Sequence, residues 1–279
     1  MKIVISADST CDLPKELLQK HNIVIMPIIV TLDEKEYQDG VDINTQMLYE
    51  YIERTGNLAK TAARSIYEYK EFFENLLKDA DHIIHFSLSF KLSATGSNAL
   101  KASEEIGTDK VTVIDTKSLS SGSGLLVLSC AEKIEQGKDL DLIKAEVLEQ
   151  VNKVQASFLV DNLKYLHKGG RCSSLALLGA NLLKIKPRIS LVDGEMKVTK
   201  KYMGNINASL VKYTKDILEE CPPNLDRVFV TYSSLMQVRD TLVQTLKEFG
   251  FKEVLTADAG PTICTHCGKN TLGVLYIKA

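Results

Sequence analysis

Several runs in this 279-residue chain carry side chains that could do chemistry. Three runs of small polar residues each follow a short β-branched segment: Asp8-Ser9-Thr10-Cys11-Asp12-Leu13-Pro14, the stretch Ser87 to Ala99 containing Ser93-Ala94-Thr95-Gly96, and the stretch Asp115 to Gly124. Hydroxyls beside helix N-terminal N–H groups can cradle a carboxylate or phosphate, and the same residues can equally serve as helix caps. A further run, His167-Lys168-Gly169-Gly170-Arg171, sets paired glycines between cations. Glycines at positive φ would let consecutive N–H groups curl around an anion, with Lys168 and Arg171 adding full charges; the alternative is an ordinary exposed loop. The last run, Gly260-Pro261-Thr262-Ile263-Cys264-Thr265-His266-Cys267-Gly268, reads as strand and turn and presents His266 between two cysteines. We take His266 as a polar site residue and the cysteines as small fillers, with half a zinc site or a redox pair as the competing readings. No metal is expected: His82 and His85, three apart in a strand, point to opposite faces.

Ser93 as nucleophile and His266 as base, oriented by Asp8 or Asp115, would make a hydrolase or acyltransferase. The chain has no Gly-x-Ser-x-Gly elbow, no phosphate-binding Gly-x-x-x-x-Gly-Lys loop and no Gly-x-Gly-x-x-Gly dinucleotide turn, so neither ATP nor NAD is expected as its own cofactor.

The elements that must position these residues alternate between β-branched runs and stretches of helical period, the pattern of an α/β fold. Strands are expected at Lys2 to Ser6, Val24 to Thr31, His82 to Ser87 and Val111 to Asp115, with helices at Ile66 to Lys78, Ser97 to Glu105, Gly122 to Gln136 and Asp139 to Lys153. Asp12 is placed to cap a helix that has Pro14 in its first turn. A second series follows: Ala156 to Val160, Lys184 to Val192, Lys197 to Lys201, Arg227 to Tyr232, Glu253 to Ala257 and Leu272 to Lys278. Its Val192-Asp193-Gly194-Glu195 hairpin signal predicts a mixed sheet. The expected organisation is therefore two α/β domains, 1–155 with a parallel sheet and 156–279 with a mixed sheet and flanking helices.

Composition narrows the function classes. With 34 Lys+Arg against 36 Asp+Glu the net charge is −2, and the basic residues are scattered, so nucleic acid is not an expected partner. No apolar run reaches membrane-spanning length and the start carries Asp8 where a signal peptide would stay apolar, which predicts a cytoplasmic protein with its six cysteines reduced.

Taken in order, the motifs resemble the DegV family, whose members are fatty-acid-binding subunits of a bacterial fatty acid kinase. The resemblance runs end to end and rests on Asp8 to Pro14, Lys60-Thr61, Leu92-Ser93-Ala94-Thr95, Asp115 with Gly122 and Gly124, Lys168-Gly169-Gly170-Arg171, Ile185-Lys186-Pro187, Gly260-Pro261 and Thr265-His266. It implies a carrier with no catalytic residue of its own, holding a long-chain fatty acid in an apolar tunnel. Thr61 and Ser93 match the family's carboxylate-binding hydroxyls, while Arg171 and His266, a protonatable imidazole, match its headgroup cation and imidazole. The implied partners are an ATP-dependent kinase subunit that makes acyl phosphate and an acyltransferase that receives it for phospholipid synthesis, with peripheral membrane contact allowed. The chain departs from the family pattern at Ala62-Ala63-Arg64-Ser65, at Ala94 and at Gly268-Lys269-Asn270.

Overall fold

The computed structural model describes residues 1–174 and 185–279. Lys184, at the head of an expected strand, lies outside them. The chain opens with β1 (Ile3–Asp8), a 3₁₀ turn (Ser9–Cys11), α1 (Lys15–Lys20), β2 (Val24–Met26), β3 (Ile29–Leu32), β4 (Lys35–Gln38), α2 (Thr45–Thr55) and β5 (Lys60–Ala62). It continues through α3 (Ile66–Leu76), β6 (His82–Ser87), α4 (Thr95–Ile106), β7 (Val111–Asp115), α5 (Ser121–Glu135) and α6 (Leu140–Val151). Strands β2, β1, β6 and β7 form a parallel sheet in that order.

The single strand expected from Val24 to Thr31 is two. Pro27 has no N–H for a ladder, so the run breaks there, and β3 leaves the parallel sheet to sit between β4 and β5 in a small antiparallel sheet. Strands β4 and β5 are too short and polar to stand out as strands in the sequence. Arg64 anchors the loop after β5 by donating from Nε to the Pro27 carbonyl at 2.6 Å, and Ser65 with Glu68 closes a capping box at the start of α3.

The second series comprises β8 (Val154–Leu159), α7 (Lys164–Gly169), β9 (Ile185–Val192), β10 (Glu195–Met203), α8 (Ile206–Glu220), β11 (Pro223–Tyr232), α9 (Val238–Phe249), β12 (Glu253–Asp258), α10 (Pro261–Cys267) and β13 (Leu272–Lys278). Its six strands run β10-β9-β8-β13-β11-β12, with β11 and β12 parallel and every other pairing antiparallel, so the sheet is mixed as expected. The β9–β10 hairpin turns on Asp193 and Gly194, both at positive φ, and its tip reaches across the molecule: Ser89 Oγ donates to the Gly194 carbonyl at 2.7 Å.

Helix α5 joins the two sheets. Every residue from Ser121 to Ala131 is buried, and one core cluster runs from Ile5, Ala7 and Phe86 of the parallel sheet through Leu125 to Leu128 into Ala156, Phe229 and Leu275 of the mixed sheet. Such depth requires absent side chains. A Cβ on Gly124 would lie 2.9 Å from the Cys11 carbonyl oxygen and 2.8 Å from Leu13 Cδ2, and one on Gly122 would lie 3.3 Å from Ala156 Cβ. Gly124→Ala should therefore cost about 1–3 kcal/mol, because a backbone oxygen cannot yield as a side-chain tip can, and urea unfolding should show the drop. Wild-type stability in this variant would show that the helix has room to move.

Candidate functional site

The three small-polar runs lie where expected, at the carboxyl ends of β1, β6 and β7 on one edge of the parallel sheet. The anions they hold are the protein's own. Asp8 Oδ1 accepts from Tyr69 OH and lies 3.3 Å from His85 Nε2, while Asp8 Oδ2 accepts from Ser87 Oγ at 2.5 Å and from the Leu88 amide at 3.1 Å. Asp115 accepts from the Phe90 and Lys117 amides. Asp12 does not cap α1, whose N-cap is Pro14; it sits at φ 49° and its carboxyl accepts from Ser120 Oγ at 2.5 Å and the Gly260 amide at 2.9 Å. Burial pushes Asp12 up to about 7, against those two hydrogen bonds.

The segment expected to be extended around His266 is the helix α10, with Pro261 in its first turn and Gly268 at its end. Proline's fixed φ suits a first helical turn, and Gly268 at φ 73° can stop it. The Gly169-Gly170 pair is likewise no anion nest. It ends the short helix α7, where the Gly170 amide already donates to the Leu166 and His167 carbonyls. What the missing side chain at Gly169 permits is contact with His266, since a Cβ there would fall 2.5 Å from Nδ1. Arg171, exposed, folds back so that its guanidinium donates to the Gly169 carbonyl at 2.6 Å.

Thr61, Ser93, Arg171 and His266 all line one cavity of about 220 Å³ between the small antiparallel sheet, the edge of the parallel sheet and α10. His266 Nε2 is 2.9 Å from Thr61 Oγ1, and Ser93 Oγ accepts from the Thr95 amide at 3.2 Å just before α4, whose N-cap is Ala94. Away from them the walls include Ile28, Leu88, Leu92, Leu119, Phe158 and Met196. Hydroxyl residues also line these walls, but their oxygens are engaged elsewhere: Ser120 with Asp12, Thr231 with Ser121, Ser233 with the Gly268 carbonyl and Thr271 with the Cys267 carbonyl. The Thr10 and Thr262 oxygens are buried and have no hydrogen-bond partner among the described residues. The cavity thus meets mostly carbon.

The sequence pattern of a family described as uncharacterised proteins of the DegV family matches residues 2–279. The chain belongs to the DegV family. A DegV domain-containing protein of Caldanaerobacter subterraneus is 29% identical over 99% of this chain and 98% of its own length, and one from Staphylococcus aureus is 31% identical over 99% of both chains. The solved structure of a Thermus thermophilus DegV-family protein, described by its fatty acid binding, superposes with a TM-score of 0.90 at 26% identity over 100% of both chains. That of Bacillus subtilis DegV, described as a fatty-acid-binding protein, gives 0.89 at 26% identity, again over 100% of both.

Within this DegV-family chain the Ser–His reading does not assemble. His266 Nε2 faces Thr61 in place of Ser93, His266 Nδ1 has no hydrogen-bond partner among the described residues, and Asp8 and Asp115 are held by the donors named above. Cys264 and Cys267 do lie on a helix after a strand, the setting a redox pair uses, but both are buried and burial drives the Cys264 thiol far from thiolate formation. Among the described residues no helix is long and apolar enough to cross a membrane. Sequence reasoning missed Tyr69, which lies in α3 outside every motif, and the role of Gly169, whose tight packing against an imidazole only the folded chain reveals.

The imidazole's charge also differs from expectation. Burial, with Arg171 as a lesser cause, lowers His266 from 6.5 to about 4, so it is neutral near pH 7 and the charge beside the cavity rests on Arg171. Between these values the unfolded chain binds a proton here that the folded chain does not, so stability falls as pH drops from 6.5 to 4. Asp12 acts in the opposite sense, its folded form holding the extra proton from 3.8 to about 7. The two separate in a difference measurement: His266→Gln should lose less stability than wild type between pH 6.5 and 4 in urea titrations, and parallel curves would contradict a buried neutral imidazole.

Proposed function

We propose that the chain is a fatty-acid carrier whose cavity takes a long acyl chain, with the carboxylate at Thr61 and Ser93 and with Arg171 and His266 beside it. The observation that carries this reading is the make-up of the cavity: Thr61, Ser93, His266 and Arg171 line it together, with Thr61 Oγ1 2.9 Å from His266 Nε2, while its walls also include Ile28, Leu88, Leu92, Leu119, Phe158 and Met196. Each methylene removed from water contributes roughly 0.8 kcal/mol, so an apolar cavity can retain a long chain while few polar contacts fix its head. A hydroxyl pair and a neutral imidazole can orient a carboxylate without neutralising it. The fatty acid binding of the Thermus and Bacillus relatives supports the same ligand class.

In this reading the chain performs no chemistry itself. A separate ATP-dependent kinase brings the nucleotide, a carboxylate oxygen attacks the γ-phosphorus, ADP departs, and the acyl phosphate passes to an acyltransferase for phospholipid synthesis. Arg171, exposed at the rim, is placed to meet the added negative charge. Work in the cytoplasm with peripheral membrane contact fits this role, as does a division at 155/156 that draws Thr61 and Ser93 from one unit and Arg171 and His266 from the other.

Organic extraction and mass spectrometry of the purified protein should yield one fatty acid per chain, and a protein that is empty and also fails to bind added fatty acids would refute the carrier role. Thr61→Ala with Ser93→Ala should weaken retention about tenfold or more, at roughly one hydrogen bond's worth per hydroxyl. Arg171→Ala should leave retention near wild type yet slow phosphorylation by the kinase, and equal loss of both in all variants would remove the separate roles.

A further inference from the structure

A buried chain of hydrogen bonds leads from Asp8 to the turn that carries Ser93. Asp8, Tyr69, His85, Ser87 and Thr95 are each no more than 1% exposed. Tyr69 OH donates to Asp8 Oδ1 and lies 2.9 Å from Thr95 Oγ1. The Thr95 amide in turn donates to Ser93 Oγ at 3.2 Å. Donor and acceptor roles along this path follow from chemistry. A carboxylate oxygen accepts only, so the phenol gives its single proton to Asp8, and the Thr95 hydroxyl must donate to the phenol oxygen. Burial and the neighbouring Asp8 raise Tyr69 well above 10, so the phenol keeps that proton. At the far end the Thr95 amide fills a lone pair of Ser93 Oγ, which leaves the Ser93 proton free for the cavity.

The same carboxylate also takes the Leu88 amide, and Leu88 and Leu92 are cavity walls. Tyr69 itself is clamped by its ring against Phe73 and His85, with centroids 5.7 and 5.3 Å away, so its hydroxyl is held to one position. His85 is fixed from behind by Ser6 Oγ at 2.9 Å.

We infer that Tyr69 and Thr95 are positioning residues for the ligand headgroup, transmitting the fixed place of the Asp8 carboxylate to Ser93 and setting Ser93 as a hydrogen-bond donor to a carboxylate. This deepens the carrier reading and rests on it. Neither residue touches the ligand, and their action is through Ser93 alone and not through Thr61, which is held on β5 by a different partner.

The test is a double-mutant cycle on fatty acid affinity, read by titration of delipidated protein with oleate. Tyr69→Phe keeps the ring and removes the hydroxyl, and Thr95→Val keeps the shape and removes the donor. Each should weaken binding about three- to tenfold, the range of one lost hydrogen bond, while Thr95→Ser restores it. In a Ser93→Ala background the Tyr69→Phe loss should shrink below about twofold, whereas in a Thr61→Ala background it should persist in full. A structural effect on the fold would act equally in both backgrounds, so equal losses overturn the inference, as does wild-type affinity in both Tyr69→Phe and Thr95→Val. If Tyr69→Phe does not fold, the Thr95 pair in the same two backgrounds decides the matter. A wild-type chain that binds no oleate overturns the carrier reading and this inference together, while binding without the Ser93-specific coupling overturns only the inference.

Discussion

The close approach of α5 to both sheets is the constraint on which the remaining structure depends. A helix buried on all sides from Ser121 to Ala131 must meet two partners at once, and Gly122 and Gly124 make that possible by bringing backbone against Ala156 on one side and the Cys11 carbonyl on the other. Because the helix is fixed from both sides, so is the turn that leads into it. Leu119 and Ser120 of that turn line the cavity, Ser120 binds Asp12, and Ser121 pairs with Thr231 of the mixed sheet. The cavity therefore has walls from both sheets, held in register by one helix.

Buried carboxyl groups then organise the loops at the sheet edge. Asp8 collects a phenol, a hydroxyl and an amide, and Asp12 links the β1 loop to Ser120 and to the first residue of α10's approach, Gly260. Leaving such groups unpaired in the interior would cost several kcal/mol, so each acts as a strong requirement that its donors stay in place. Loops that would otherwise be mobile acquire fixed geometry in this way, and the residues facing the cavity inherit it.

Much of this was legible in the sequence because it depends on local pattern. The β-branched runs gave strands β6, β7 and β13 at their observed bounds, Asp193-Gly194 marked the hairpin that makes the second sheet mixed, and the ordered motifs identified the family. The misreadings share one physical cause: a residue's role was set by a partner far away in the chain. Asp12 looked like a cap because its true donors, Ser120 and Gly260, are 108 and 248 residues distant. Gly169-Gly170 looked like a nest because the imidazole packed on Gly169 comes from α10. The run around His266 looked extended because β-branched Thr and Ile have weak helix propensity, which tertiary packing of Cys264 and Cys267 into the core overrides. Thr61 could be singled out by family resemblance, yet its pairing with His266 spans 205 residues and no spacing rule reaches that far.

The electrostatic consequence concerns where charge sits. Were His266 protonated, a cation would lie unpaired in a largely apolar cavity beside Arg171, and both desolvation and like-charge repulsion oppose that state. The imidazole is instead neutral, and it meets Thr61 through Nε2 with Nδ1 closed off against Gly169. Full positive charge is left to Arg171 at the exposed rim, where water offsets its desolvation. For a carboxylate held as proposed, this arrangement separates two tasks by dielectric: neutral donors inside fix the head without a strong charge pairing that would have to be broken on release. In that proposal the exposed guanidinium would answer the negative charge that phosphoryl transfer adds. On the proposed reading, holding the ligand and helping it react would thus fall to different residues because the interior and the rim solvate charge differently.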